Sequence, residues 1–406
     1  MKKEKIFFIV CLQFCIISGF LISSENPNNI KKKTICLNMI VKDESDVITR
    51  CLESVLPIID TWVIVDTGST DGTQKIIKDY LKNIPGELYE RPWVNFEHNR
   101  QEALLLAKPK ADYILFMDAD DMLTYSDDFQ MPELTQGFYG ITSHLKNGEE
   151  FIFHRLIKSD LDWFWKGAIH EDLLCSYSVN GEHLKGITYE YNHDGARSKD
   201  SDSWNKDVAI LLDSIQKDPT NTRNYFYLAR SYQNGGDLEH ALEYYKKRSE
   251  LLAGNVEEIF LSKLMTAKIQ SVLKMDIKTV RQSLIDAYTF RPSRLEPLYY
   301  LAFLYRNQGE YQKGYEIANL ANQLPKEIND ILAVETSVYT YGLPFEFASC
   351  ASMTGHYVEG LDMCTKLIAL ENLSEAQRKE VEVLYNKLLQ QHIEKIKEDV
   401  LLILKN

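Results

Sequence analysis

Asp66 and the pair Asp118 and Asp120 lie at the carboxyl ends of short apolar runs: WVIV at 62–65 precedes Asp66, and YILFM at 113–117 precedes DADD at 118–121. Small Ala119 lets the carboxylates of Asp118 and Asp120 point to one side of an extended segment. Two such oxygen ligands suit a hard divalent cation, with magnesium or manganese fitting best. Taken singly, the residues have plainer readings. Asp66 opens a turn at Gly68, and Asp118, Asp120 and Asp121 cap a helix or form a solvated acidic loop. Set together at one edge of one sheet, they read as a site.

The elements that must position them alternate. ICLNMIV at 35–41 is a β-branched, nearly continuous apolar run, as expected of a parallel strand buried on both faces. Val47, Cys51 and Val55, with Ile48, Leu52 and Leu56, recur at helical spacing, and Ser45 is placed to cap that helix. WVIV gives a second strand, DTGSTDGT at 66–73 a turn, and Ile76, Ile77, Tyr80 and Leu81 the apolar face of a second helix. ELYE at 87–90 is a weaker third strand, Ala103 to Ala107 belong to a third helix, and YILFM is a fourth strand. This order predicts an α/β fold, a doubly wound and mostly parallel sheet with helices on both faces. In such sheets ligands bind outside the carboxyl ends of the strands, where Asp66, Asp118 and Asp120 stand.

Asn147-Gly148 and Asn180-Gly181 each sit between β-like runs and predict two hairpins, an antiparallel extension of the sheet. Between them LDWFWKGAIHED carries Trp163, Phe164 and Trp165, then His170, Glu171 and Asp172. Aromatic rings beside carboxylates suit sugar binding, since sugar faces stack on rings and carboxylates accept from hydroxyls. Core packing is an equal reading of the three aromatics.

From residue 199 onward the chain reads as all-α. Tyr225, Leu228, Ala229, Tyr232, Ala241 and Tyr245 fall at the spacing of a tetratricopeptide repeat, and Leu298, Leu301, Ala302, Tyr305, Gly314 and Ala318 occupy the same slots downstream. The stretch 256–290 reads as a degenerate pair between them, so three helix pairs can stack. Residues 327–400 look helical but match no repeat, and their charged end reads as an amphipathic cap.

ICLNMIVKDES, VIVDTGSTDGT, Asn99-Arg100 before EALLLA, ILFMDADD and WKGAIHED resemble glycosyltransferase family 2, in the branch where a nucleotide-diphospho-sugar domain precedes tetratricopeptide-like helices. The resemblance covers about 34 to 320. VDTGSTDGT followed by a strand and DADD is specific as a combination. The chain departs from the pattern at Lys42-Asp43-Glu44, where Asn-Glu-Glu is more usual, and at Gln101, where Asn is. The resemblance implies a GT-A-like catalytic domain over 34–198 and a helical domain over 199–406. It implies a nucleotide-sugar donor, a saccharide or protein acceptor, and a protein partner on the repeats. It places the acceptor-side acid at Glu171, the expected general base of an inverting transfer, with Asp172 second. It has Asp66 and Arg100 read the nucleotide base, Asp118 reach the ribose or metal, and His193 join Asp118 and Asp120 as a metal or diphosphate ligand. Asp66 can accept a ring N–H and Arg100 can donate to a ring carbonyl, which favours uracil, with guanine and thymine as alternatives.

Composition bounds the other classes. The chain has 406 residues, 45% of them hydrophobic, and a net charge of -13, so nucleic acid is not expected as a main partner. Seven scattered cysteines without a CxxC pair predict reduced, buried thiols. Residues 6–22 are uncharged behind Lys2, Lys3 and Lys5, the layout of a signal peptide or membrane anchor within the first 30 residues. A membrane-associated or secretory location follows, facing the cytosol in a bacterium. Two other functions compete. A non-catalytic repeat scaffold has no physical need for Asp118, Asp120 and Glu171 together, and a nucleotidyltransferase would need a glycine-rich, basic triphosphate loop in the first turn.

Overall fold

The computed structural model describes residues 32–144, 150–326, 330 and 332–405. The predicted leader or anchor and the Asn147-Gly148 turn lie outside these residues. Among the described residues no helix is long and apolar enough to cross a membrane.

The apolar run of β1 (Ile35–Val41) is covered on both faces, which is why it does not alternate with polar residues. Ile35, Leu37, Met39 and Val41 join one core with Ile48, Cys51, Leu52 and Val55 of α1 (Ile48–Val55) and Ile77 of α2 (Thr73–Tyr80). Cys36 faces the other way and packs with Val63, Ile114 and Phe116 against Leu104 and Ala107 of α3 (Phe96–Ala107). The polar exception, buried Asn38, has its demand met: its amide donates to the carbonyls of Val63 (3.1 Å) and Ala103 (3.0 Å), tying the sheet to α3.

β2 (Thr61–Asp66), β3 (Gly86–Glu90), β4 (Tyr113–Phe116), β5 (Met122–Tyr125), β6 (Phe138–His144), β7 (Glu150–Lys158) and β10 (Gly181–Glu190) complete an eight-stranded sheet of order β3-β2-β1-β4-β7-β6-β10-β5. The block β3-β2-β1-β4 is parallel, while β7 is antiparallel to both β4 and β6. β10 runs parallel to β6 and antiparallel to β5. β8 (Trp163–Lys166) and β9 (Asp172–Cys175) form a separate two-stranded ribbon.

Two local expectations are corrected. Ser45 does not cap α1: its backbone N–H instead donates to Asp71 at 2.8 Å, and Asp71 also takes the Thr73 N–H at 3.0 Å. The acidic turn after β2 thereby fastens the loop after β1. Asn180-Gly181 is not a hairpin turn, because β9 pairs back on β8 and Gly181 opens β10 beside β6. The glycine serves close approach there; a Cβ would lie 2.1 Å from the Phe138 ring.

From α4 (Ala196–Lys199) and α5 (Ser203–Lys217) onward the chain is helical. Three hairpins stack as the spacing predicts: α6 (Thr222–Asn234) with α7 (Leu238–Glu250), α8 (Val256–Val272) with α9 (Ile277–Phe290), and α10 (Glu296–Asn307) with α11 (Tyr311–Gln323). A fourth follows, α12 (Leu343–Thr354) with α13 (Tyr357–Ile368), and α14 (Glu375–Lys405) closes the stack. Each hairpin breaks at a left-handed residue: Gly236, Lys274, Gly309 and Gly355. Lysine in place of glycine at the second break is part of why that pair reads as degenerate. Cys36, Cys51, Cys350 and Cys364 are buried free thiols.

Candidate active site

The acids converge at the carboxyl edge of the parallel block, where β2 ends at Asp66 and β4 runs into Asp118. Asp66 is 1% exposed. Its Oδ1 accepts from the N–H groups of Gly68 (3.0 Å) and Ser69 (2.9 Å) and from Gln74 (3.2 Å). Its Oδ2 is buried without a hydrogen-bond partner. A buried acceptor left unmade costs about 1–3 kcal/mol, so such an atom is a candidate contact for a bound donor.

Arg100, on α3, is the hub. Its Nη2 donates to Asp118 Oδ1 at 2.6 Å and its Nε is ion-paired with Glu171. The guanidinium lies over Trp165, which meets Phe116 edge-on at 5.1 Å. Arg155 of β7 approaches the second oxygen of Asp118 at 3.8 Å. Burial alone would raise the Asp118 carboxyl, but the two guanidiniums outweigh it and hold it down at about 2. Asp118 is therefore a charge-balanced carboxylate at neutral pH. Its N–H donates to the Tyr189 hydroxyl, which in turn donates to Asp121 Oδ2 at 2.9 Å. Arg155 stacks on that Tyr189 ring at 4.1 Å and donates to the Tyr191 hydroxyl.

Glu171 belongs to the turn between β8 and β9, whose backbone is left-handed at Gly167 and His170. α3 holds the entry to this turn: Gln101 accepts the Trp165 N–H at 2.8 Å and Glu97 accepts the Gly167 N–H at 2.7 Å. The Glu171 side chain is 11% exposed and faces Arg100. Asp172, one residue on, engages Arg223 of α6 at 2.9 Å instead.

Asp120 lies on the other side of the strand end. Its Oδ2 accepts the Gly195 N–H at 3.1 Å, beside Glu44, whose Oε2 accepts the Ala196 N–H at 3.2 Å. Burial and then Asp120 push the Glu44 carboxyl up to about 7, and burial, Asp118 and Asp120 do the same to Asp121. Such mutual crowding of carboxylates is what a bound cation relieves. His193 is exposed and stacks on Tyr191 at 5.6 Å. Among the described residues, no group of three or more His, Cys, Asp or Glu is arranged to hold a metal ion. The oxygens best fitted to one are those of Asp120 and Glu44, since both Asp118 oxygens face arginines.

The site thus brings together Asp118, Arg100 and Glu171, with Asp66 two strands away on the same edge. Of the aromatic trio, Trp163 is core and Trp165 backs Arg100. Sequence reasoning missed Glu44, Arg155 and Tyr189. A lone arginine inside the apolar β7 run was the available signal for Arg155, because such a charge is rarely buried unpaired.

Residues 36–131 match the family described as Glycosyl transferase family 2. The SPbeta prophage-derived glycosyltransferase SunS of Bacillus subtilis (strain 168) is 23% identical over 259 residues, 61% of this chain and 58% of SunS. The chain therefore spans under two thirds of the length of that relative. A TPR repeat-containing protein of Synechococcus elongatus is 36% identical over 90 residues, 22% of this chain and 21% of that protein. Among solved structures, MamA aligns with a TM-score of 0.31 at 15% identity, covering 51% of this chain and 99% of MamA.

Proposed function

We propose that this protein is an inverting glycosyltransferase that moves a sugar from a nucleoside-diphosphate donor, UDP-linked, to a saccharide or protein acceptor. The observation that carries the reading is the Arg100 cluster: one guanidinium joins Asp118 at the strand edge to Glu171 on the ribbon turn. Three separate parts of the chain thereby converge where such sheets bind ligands. The family match over 36–131 and the likeness to SunS support the chemistry.

In this reading the open Oδ2 of Asp66 accepts the imide N–H of uracil. Asp118, oriented by Arg100 and Arg155, accepts from ribose hydroxyls. Glu171, oriented by Arg100, takes the proton of the acceptor hydroxyl as its oxygen attacks the anomeric carbon. The bond from that carbon to the diphosphate oxygen breaks, and the configuration inverts. Asp120 and Glu44 would hold a magnesium or manganese ion, which, when bound, offsets the charge on the departing diphosphate. The repeats would present the acceptor, and residues 6–22 would tether the enzyme to a membrane.

The test is release of UDP from a panel of UDP-sugars by the full chain, with and without manganese. Metal-dependent release from one donor is expected, lost in Asp120→Ala. Glu171→Gln should lose about 10²–10⁴-fold in turnover while keeping UDP affinity, the range for a general base. A folded chain that neither binds UDP nor releases it from any donor would refute the reading and leave a scaffold.

A further inference from the structure

The ribbon turn that carries Glu171 is gripped from two sides, and the second grip comes from the helical domain. Arg223 on α6 is the pivot. Its Nη2 donates to the His170 carbonyl at 3.1 Å and to Asp172 Oδ1 at 2.9 Å, the residues on either side of Glu171. Its Nη1 donates to Glu258 of α8 at 3.2 Å. Glu258 is anchored in turn by fully buried Arg248 of α7 at 3.1 Å. The Arg223 guanidinium therefore joins α6 and α8 to both flanks of Glu171, with α7 reaching Glu258 through Arg248.

Packing repeats the same connection. The His170 ring stacks on Tyr227 of α6 at 4.2 Å, and Arg223 lies over that tyrosine at 4.8 Å. Ile169, 3% exposed, is a member of the helical core with Phe226, Leu228 and Tyr245 rather than of the sheet core. His170 has a left-handed backbone, φ 53°, a conformation uncommon outside glycine. The sheet side holds the entry of the turn through Glu97 and Gln101 and the Glu171 side chain through Arg100. The Ile169, His170 and Asp172 side chains, on either side of Glu171, instead meet α6 and its neighbours.

We infer that Arg223 is a positioning residue for Glu171, and that the first helical hairpins are part of the catalytic unit rather than a detachable acceptor module. This rests on the assignment of Glu171 as general base. A carboxylate must sit within hydrogen-bond reach of the proton it removes, and small misplacements of a catalytic group are costly in rate. Arg223 touches neither donor nor acceptor in this account. It acts by removing the freedom of the turn on both sides of Glu171.

The experiment compares the full chain with Arg223→Ala, Arg223→Lys and Asp172→Asn by amide hydrogen exchange and by UDP release from UDP-sugars. Asp172→Asn loosens the cross-domain grip while leaving the Arg223–Glu258 pair intact, so it covers the case in which Arg223→Ala does not fold. Exchange at 168–172 should quicken about tenfold in Arg223→Ala and less in Arg223→Lys and Asp172→Asn, with β1 and β4 unchanged. Turnover should fall in the same order with UDP affinity constant. In a Glu171→Gln background, Arg223→Ala should cost nothing further, because residues acting as one unit are not additive. Unaltered exchange at 168–172 in the folded variants would overturn the inference, and so would an undiminished Arg223→Ala loss in the Glu171→Gln background. If Glu171→Gln itself turns over normally, or no UDP-sugar is consumed, the base assignment fails and the inference falls with it, while exchange still reports whether the turn is clamped.

Discussion

At the scale of single residues, Asp66 makes the sharpest forecast because its two oxygens have different fates. Oδ1 is saturated by the turn amides, and Oδ2 is buried and open. Asp66→Asn can keep its carbonyl oxygen on Gly68 and Ser69 and then presents an NH₂ where an acceptor stood. The turn should survive, and a uracil N–H would meet a donor. UDP affinity should drop by about 10–100-fold, the cost of a mispaired buried hydrogen bond, with the melting temperature nearly unchanged. Titration calorimetry with UDP reads the first and a thermal melt the second; equal affinity would remove Asp66 from the nucleotide site. Asp66, Asp118 and Asp120 are legible in sequence because an apolar run before them marks the carboxyl end of a strand. Their partners are not. Arg155 reaches Asp118 from β7, beside β4, and Tyr189 from β10, beyond β7 and β6, and no local pattern announces that strand order. Glu44 looks like a loop residue until the backbone of 195–196 folds back over it.

At the scale of elements, the joint between the third and fourth helical hairpins adds a buried charge cluster to its apolar packing. Arg294, fully buried before α10, donates to Glu296 at 2.8–3.1 Å and to Asp330 at 3.3 Å, while Arg291 also grips Asp330. The Tyr339 hydroxyl closes the cluster on Glu296 at 2.6 Å. Removing one member leaves buried charge unpaired, so Arg294→Leu should cost about 3–5 kcal/mol in urea unfolding. The same cluster sets an acid limit. Arg291 first, then Arg294, lower the Asp330 carboxyl below its ordinary 3.8, against burial. A depressed carboxyl contributes stability above its unfolded value and loses it as pH falls through the folded one. The stability gap between wild type and Asp330→Asn should therefore be full at pH 7 and shrink below 3.8. A gap independent of pH would show that Asp330 contributes by shape alone. The same region marks where sequence reading ran out. The first hairpin carries Tyr232 and Tyr245 where the fourth has Ala351 and Cys364 in the matching positions around its Gly355 break, so the aromatic signature is gone although the geometry persists. β1, β2 and β4 were legible for the opposite reason, since strands buried on both faces write their burial directly as apolar runs.

At the scale of the molecule, the question is whether sheet and helices unfold as one. Their junction is chemically mixed: Ile169 enters the helical core, Phe96 of α3 packs against that core, and Arg197 lies over Phe96 while paired with buried Asp207 of α5. Arg223 adds its bonds to the Glu171 turn. Splitting the two parts would expose Ile169 and take Asp207 from Arg197 and Asp172 from Arg223, so separation should be more costly than either part's fraying. The tryptophans allow a direct reading. Trp62, Trp93, Trp163 and Trp165 lie in the sheet part and Trp204 alone in the helices, so fluorescence reports chiefly on the first and helical circular dichroism chiefly on the second. The two urea transitions should coincide in the full chain, the mark of a single cooperative unit. In Arg223→Ala they should part, with fluorescence moving first, because the ribbon bearing Trp163 and Trp165 loses its outer support while the repeat stack keeps its neighbour-to-neighbour contacts. Transitions already separate in the wild type would mean that the helices stand beside the catalytic sheet without stabilising it, and the coupling of Glu171 to α6 would then be too weak to set its position.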